Sequence, residues 1–280
     1  MDLQLKDKVV MVAAASQGIG YGIAEAVARD GGRLSIASRK AENIESAAKG
    51  LRDQYGVDCR GYVMDAANAD AIQAWTDATL QDFGEVHGLV VNAGGPSPGN
   101  FDDFDDAAWA KAYELTLMSA VRMIRCVLPQ MRAQGNGLVL YVSSLLGRMT
   151  LPFYGPYNAS KWALEAMAEN YRTELSAFGV DQCIVEPGGY PTSFMDGLIT
   201  PSDNGRGAEY GELAHAPQGM LESFEQALAA TPISVLLVSH DRELLARAAD
   251  RIVTLELGTA GNTTWTHGGG FDTYAAARDD

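Results

Sequence analysis

Three residues carry the chemistry this sequence suggests. Ser144 closes an apolar run, Tyr157 follows 13 residues later, and Lys161 stands four residues beyond that. Positions four apart on a helix share a face, so the phenol and the ammonium are presented together. A free phenol titrates near ~10, too high for efficient proton exchange at neutral pH. A neighbouring cation favours the phenolate and lowers that value. Tyr157 can then give a proton to a carbonyl oxygen as hydride arrives, or take one in the reverse direction. Ser144 would hold the same oxygen. Alone, Tyr-x-x-x-Lys is common helix chemistry. Its meaning here comes from a glycine loop, an Asn-Ala-Gly turn and a serine at a strand end.

The elements that must position these residues follow from hydrophobic periodicity. Strands are expected over Val9–Ala14, Leu34–Ala37, Cys59–Met64, Gly88–Val91, Leu138–Ser143 and Gln182–Val185. Between them, helical patterns cover Gly18–Arg29, Ala41–Tyr55, Ala71–Asp82, Asp106–Arg132 and Tyr157–Ala177. This alternation implies an α/β fold, a doubly wound parallel sheet with helices on both faces. Ligands of such sheets sit at the carboxyl ends of the strands, where the strand order reverses. The candidate residues lie at those ends.

The first such end reads Ala14-Ala15-Ser16-Gln17-Gly18-Ile19-Gly20. Glycines there let the backbone approach a pyrophosphate, and the helix that follows offers free N–H groups to it. The second end reads Ser38-Arg39-Lys40, with no carboxylate for a ribose diol. Arg39 can fork onto a 2′-phosphate and Ser38 can donate to it, which favours NADP(H) over NAD(H). Asp65, after the third strand, either accepts the adenine amino group or caps the next turn. Asn92-Ala93-Gly94, after the fourth, is small enough for a cofactor to pass close to the backbone.

Composition sets limits on partners. The 280 residues carry a formal net charge of −15, which argues against affinity for nucleic acid or anionic membranes. No apolar stretch is long enough for a membrane span and the N-terminus lacks an apolar signal core. The three cysteines, Cys59, Cys126 and Cys183, are spaced for neither a metal site nor a disulfide framework. They read as buried thiols of a cytoplasmic protein.

Taken together, Gly18, Gly20, Asn92-Ala93-Gly94, Ser144, Tyr157, Lys161, Pro187-Gly188 and Thr192 resemble the short-chain dehydrogenase/reductase family, over roughly residues 5 to 230. The resemblance implies a Rossmann-type domain, a small carbonyl or alcohol substrate, and a homodimer or homotetramer. It implies that Lys161 also binds the nicotinamide ribose, and that Pro187, Gly188 and Thr192 border the nicotinamide. Two positions depart from the family pattern. Ala14 replaces the first glycine of the cofactor loop, and Thr116 replaces a catalytic asparagine, so Thr116 is assigned no role. The likeness also changes branch near residue 145. Asn92–Gly99 resembles one group of reductases, while Tyr154–Lys161 and Glu186–Thr192 resemble another.

From Tyr190 to Pro217 the alternation breaks into a Gly-, Pro- and Ser-rich segment that reads as a lid. A helix over Met220–Ala229 follows, then a strand at Ser234–Ser239, a helix at Arg242–Ala249, a strand at Arg251–Leu257, another near Thr263–Thr266 and a short terminal helix. This tail, 233–280, resembles the end of a soluble tandem-cassette ABC-type ATPase: Ser239-His240-Asp241, then Ala249-Asp250-Arg251, then Gly268-Gly269-Gly270-Phe271-Asp272. No Gly-x-x-x-x-Gly-Lys-Ser/Thr loop occurs, so His240 is expected to bind no nucleotide. The tail is expected instead to pack on residues 1–232 or complete their sheet. Three likenesses in one chain suggest a recombined gene. The reading is an NADP(H)-dependent oxidoreductase, and the alternative is a nucleotide-binding fold without turnover.

Overall fold

The computed structural model describes residues 4–94, 99–151 and 153–187, and the backbone of 235–238, 252–258 and 261–267. The first strand, β1 (Val9–Ala13), feeds helix α1 (Gly18–Arg29). Then come β2 (Arg33–Ser38), α2 (Ala41–Tyr55), β3 (Cys59–Val63), α3 (Ala69–Phe83) and β4 (Gly88–Val91). Beyond β4 lie α4 (Asp106–Tyr113), α5 (Ser119–Gln134), β5 (Gly137–Val142), α6 (Gly155–Ser176) and β6 (Val180–Pro187). The last strands are β7 (Val235–Val238), β8 (Ile252–Gly258) and β9 (Gly261–His267).

The sheet runs β3-β2-β1-β4-β5-β6-β7. The pairs from β3 through β6 are parallel. The chain starts in the middle, winds outward to β3, and returns to β4 on the other side of β1. That reversal opens the crevice at the carboxyl ends of β1 and β4. The sheet faces sort by the period of two. Met11 and Ala13 join Leu89, Val91 and Tyr141 in one core layer, with Trp75, Met123 and Leu164 from the helices. Val10 and Val12 join Leu34, Ile36 and Val90 in the other, under Ala24, Val27, Ile44 and Leu51. Both faces are thus covered, as a parallel sheet requires. One set of buried polar groups is paired between the sheet and α3. Trp75 Nε1 donates to Ser35 Oγ over 2.9 Å, and Ser35 shares a 2.6 Å bond with Thr79.

Several boundaries differ from the sequence reading. The expected helix Asp106–Arg132 is broken by a π turn over Glu114–Met118. One added residue per turn widens the helix there, a device often found at functional sites. The strands before Ser144 and Asp65 stop short of them, at Val142 and Val63. Met64 and Ser143 each still donate a backbone N–H to the neighbouring strand, to Ser38 O and Val185 O, and the chain leaves the sheet after them. None of the three cysteines forms a disulfide; Cys59 and Cys183 are buried, but Cys126 on α5 is only half-buried and donates to Gln73.

The chain divides into two compact units, Asp2–Leu236 and Leu237–Asp280. In the second, β8 and β9 pair antiparallel, Ile252 opposite His267 and Gly258 opposite Gly261. The expected lid at Tyr190–Pro217, the helices Met220–Ala229 and Arg242–Ala249, and the terminal helix lie outside the described residues. Among the described residues no helix is long and apolar enough to cross a membrane, and no cluster of His, Cys, Asp and Glu could hold a metal ion.

Candidate active site

The loop after β1 is shaped by two residues in the left-handed region. Ala14 has φ 50° and Gly18 has φ 61°. Glycine tolerates this freely, whereas alanine pays roughly 1–2 kcal/mol for its Cβ. The departure from the family pattern at Ala14 therefore leaves the turn intact and strains it. Gln17 caps α1 with extended backbone and no side-chain bond, so the first N–H groups of the helix stay available. Ser16, Gln17, Gly18 and Ile19 lie along this turn, none fully buried. At Gly20 an added Cβ would lie 2.5 Å from Ala14 O and 2.5 Å from Asn92 Nδ2. Only glycine fits, because α1 is pressed directly on the loop.

Asn92 has a structural task that its sequence context did not announce. Its side-chain amide donates to Ala13 O (3.3 Å) and Ala14 O (3.4 Å), tying the end of β4 to the β1 loop. Ala93 and Gly94 follow, half-buried, with Gly94 at φ 130°. A Cβ on Gly94 would meet Thr116 Oγ1 at 2.9 Å. The π turn thus aims Thr116 at the Asn-Ala-Gly turn. Thr116 is fully buried, and Oγ1 has no hydrogen-bond partner among the described residues.

At the end of β2, Ser38 Oγ is likewise buried without a partner among the described residues, and Arg39 beside it is exposed. A hydroxyl left over at the crevice mouth and a free-standing guanidinium fit a phosphate-bearing nucleotide. The glycine-lined approach at Gly18 and Gly20 fits its pyrophosphate. Asp65 is exposed, and its Oδ1 accepts from Ala67 N over 3.0 Å, so the turn-capping alternative is realised for that oxygen.

Ser144, Tyr157 and Lys161 come together. Ser144 is the cap of a short 3₁₀ turn, Leu145–Gly147, and accepts from Leu146 N over 3.1 Å. Its hydroxyl also hydrogen-bonds the Tyr157 phenol. Lys161, one turn along α6, is 4% exposed and donates to Val142 O over 2.8 Å. Its Nζ stands 5.8 Å from the centre of the Tyr157 ring. Burial pushes the phenol up to about 12, and the Ser144 bond only partly opposes this. The lowering expected from Lys161 does not offset burial, because the ammonium is itself desolvated and turned to Val142 O. Burial pulls Lys161 down to about 8, with Glu165 resisting.

Pro187 ends β6 and is buried; Gly188 and Thr192 lie outside the described residues. Behind Lys161 the sequence reading missed a charged cluster. Glu165 and Glu186 are 2% and 1% exposed. Arg148 Nε reaches both, at 2.6 Å and 2.9 Å, and its other arm takes Glu169 at 2.8 Å. The only signal in the sequence was the four-residue step from Lys161 to Glu165.

Residues 8–201 match the family model for short chain dehydrogenase. The chain belongs to the short-chain dehydrogenase family. A rat protein of this family, dehydrogenase/reductase SDR family member 4, is 33% identical over 195 residues, covering 69% of this chain and 70% of its own. L-Sorbose reductase from Gluconobacter frateurii, solved with NADPH and L-sorbose, superposes with a TM-score of 0.68 at 26% identity, over 80% of this chain and 82% of that one. A 7α-hydroxysteroid dehydrogenase, solved with NADH and a 7-oxo bile acid conjugate, gives 0.68 at 26% identity, over 71% and 78%. This short-chain dehydrogenase is thus an oxidoreductase of the Rossmann type, and its structural relatives include both NADP(H)- and NAD(H)-bound enzymes.

Proposed function

We propose that this short-chain dehydrogenase interconverts a carbonyl and an alcohol on a small apolar substrate, with NADP(H) as its cofactor and Tyr157 as proton donor and acceptor. One observation carries the reading: Ser144 bonded to the Tyr157 phenol, with the Lys161 ammonium buried one turn away. A nicotinamide bound along the crevice supplies or takes the hydride. Ser144 holds the substrate oxygen, and Tyr157 gives it a proton as charge develops there. A phenol pushed up to about 12 is protonated at neutral pH, which suits donation and hence reduction. Lys161 places positive charge behind the phenol and binds the ribose. Ser38 and Arg39 take the 2′-phosphate, which favours NADP(H) over NAD(H). Ser16 to Gly20 hold the pyrophosphate, Asp65 the adenine, and Asn92, Ala93, Gly94, Pro187, Gly188 and Thr192 line the path of the nicotinamide half.

Three further parts belong to the proposal. Three cysteines without a disulfide suit a reducing compartment such as the cytoplasm. The enzyme works as a homodimer or homotetramer, as its family commonly does. Residues 233–280 are an ABC-ATPase-like segment joined to this domain by recombination, and they carry no nucleotide chemistry. NADPH oxidation followed with a panel of ketones tests the activity. Tyr157→Phe is expected to lose about 10²- to 10⁴-fold in turnover with NADPH affinity intact. Tight NADPH binding without turnover on any ketone would instead support a nucleotide-binding fold that has lost its reaction.

A further inference from the structure

Two buried carboxylates share one arginine. Glu165 and Glu186 are both nearly free of solvent, and a buried charge without a partner is expensive. Arg148 lies between them and can neutralise one. Glu169, the third carboxylate on Arg148, is half-exposed and screened by water. Lys161 stands on the same face of α6 as Glu165, one turn before it. The two interact through space as charges, while the lysine's hydrogen bond goes to Val142 O.

Glu165 is also tied to the strand end that makes the site. Ser143 donates its hydroxyl to Glu165 Oε1. Ser143 lies between Val142, whose carbonyl holds Lys161, and Ser144, whose hydroxyl meets Tyr157. Its own N–H is fixed to Val185 O over 2.8 Å. The carboxylate leaves no room for anything else. A Cβ on Gly147 would fall 1.9 Å from Glu165 Oε1 and 2.7 Å from Ser143 Oγ.

We propose that Glu165 is a positioning residue for the reaction: the fixed counter-charge that keeps Lys161 an ammonium, locked in place by Ser143 and Arg148. Lys161 is faced by Tyr157 and Glu165 from α6 and by Val142 O from the end of β5. Glu165 is faced by Lys161 on its own helix, Ser143 just after β5, Arg148 from the turn beyond it and Glu186 from β6. Burial and the neighbouring Glu186 raise the Glu165 carboxyl, and the Ser143 bond and the two cations oppose them. The idea rests on the reductase reading of Tyr157 and Lys161.

The test uses the whole chain with lysine labelled at Cε and Nζ, the Lys161 signal being assigned with Lys161→Arg. Its titration is followed by NMR in the native protein and in Glu165→Gln, beside the pH profile of ketone reduction. In Glu165→Gln the Lys161 midpoint is expected to fall by about one unit, a tenfold weaker hold on its proton. Turnover at neutral pH is expected to fall about twofold and its pH profile to move down by the same unit, while NADPH affinity stays within about twofold, because only the ammonium's share changes. Glu165→Asp recovers part of both, and Glu169→Gln changes neither. An unmoved Lys161 midpoint in Glu165→Gln overturns the proposal. Where that variant does not fold, Ser143→Ala decides: it loosens the carboxylate, so a lower midpoint supports the role and an unchanged one overturns it. A native protein without turnover on any ketone overturns the reductase reading alone, since the midpoint is read without activity.

Discussion

At the scale of single residues, the site joins groups whose burial opposes their charge. Tyr157 and Lys161 are driven in opposite directions, the phenol up to about 12 and the ammonium down to about 8. Each is pushed toward neutrality by the same lack of water. On the proposed function, cofactor choice rests elsewhere, on Ser38 and Arg39, where no carboxylate is available. Arg39→Ala is expected to weaken NADPH by about 10- to 100-fold, the loss of roughly 1.5–3 kcal/mol of charged hydrogen bonding, and to leave NADH within about twofold. Titration of both cofactors by fluorescence measures it, and equal losses for both would remove Arg39 from the phosphate site. Residue types and spacing made this much legible. Ser144, Tyr157 and Lys161 are set by a strand end and a helical period, both of which hydrophobic patterning reveals. Glu165 was not legible, because its partners Ser143, Arg148 and Glu186 come from different elements and meet only when β5, α6 and β6 pack.

At the scale of elements, each strand from β1 to β6 was visible as an apolar run. A parallel sheet covered on both faces needs such runs, with no polar alternation to blur them. The irregular backbone was not visible. Nothing in Glu114–Met118 distinguishes a π turn from ordinary helix, since the widening answers to packing against the Asn-Ala-Gly turn. The ends of β3 and β5 were likewise overrun by one residue, because Met64 and Ser143 stay apolar or small and each keeps one last backbone bond to the neighbouring strand. The strained turn at Ala14 offers a direct measurement. Ala14→Gly removes the left-handed penalty and is expected to stabilise the fold by about 1 kcal/mol, less the added freedom of the unfolded chain. Thermal melting reads the change. A lower melting temperature would mean that Ala14 is packed in a way that outweighs its backbone strain.

At the scale of the whole molecule, the family likeness and the recognisable chemistry both reside in the first unit. Residues 8–201 match the family model, and the second unit begins at Leu237. On the proposed reading the tail is ATPase-like yet brings no phosphate-binding loop. The chain is therefore expected to hydrolyse no ATP, and His240→Ala to leave NADPH turnover unchanged; phosphate release and NADPH oxidation check the two halves of this statement. ATP hydrolysis abolished by His240→Ala would give the tail a chemistry of its own. The sequence patterning of the tail, strand by strand, survives in the backbone of β7, β8 and β9.

The space denied to a side chain at Gly147 has a consequence for how such a chain can change over generations. Position 147 is emptied by the carboxylate of Glu165, which would sit 1.9 Å from any Cβ there. A lineage that enlarged position 147 first would wreck the cluster before gaining anything. One that shortened position 165 first would open a void beside Ser143 and release the neighbouring ammonium from its counter-charge. Neither order is a neutral path, so the two codons are bound to be inherited together or exchanged together. Descendants should divide into those keeping both and those that have rebuilt the floor under the lysine in a single step.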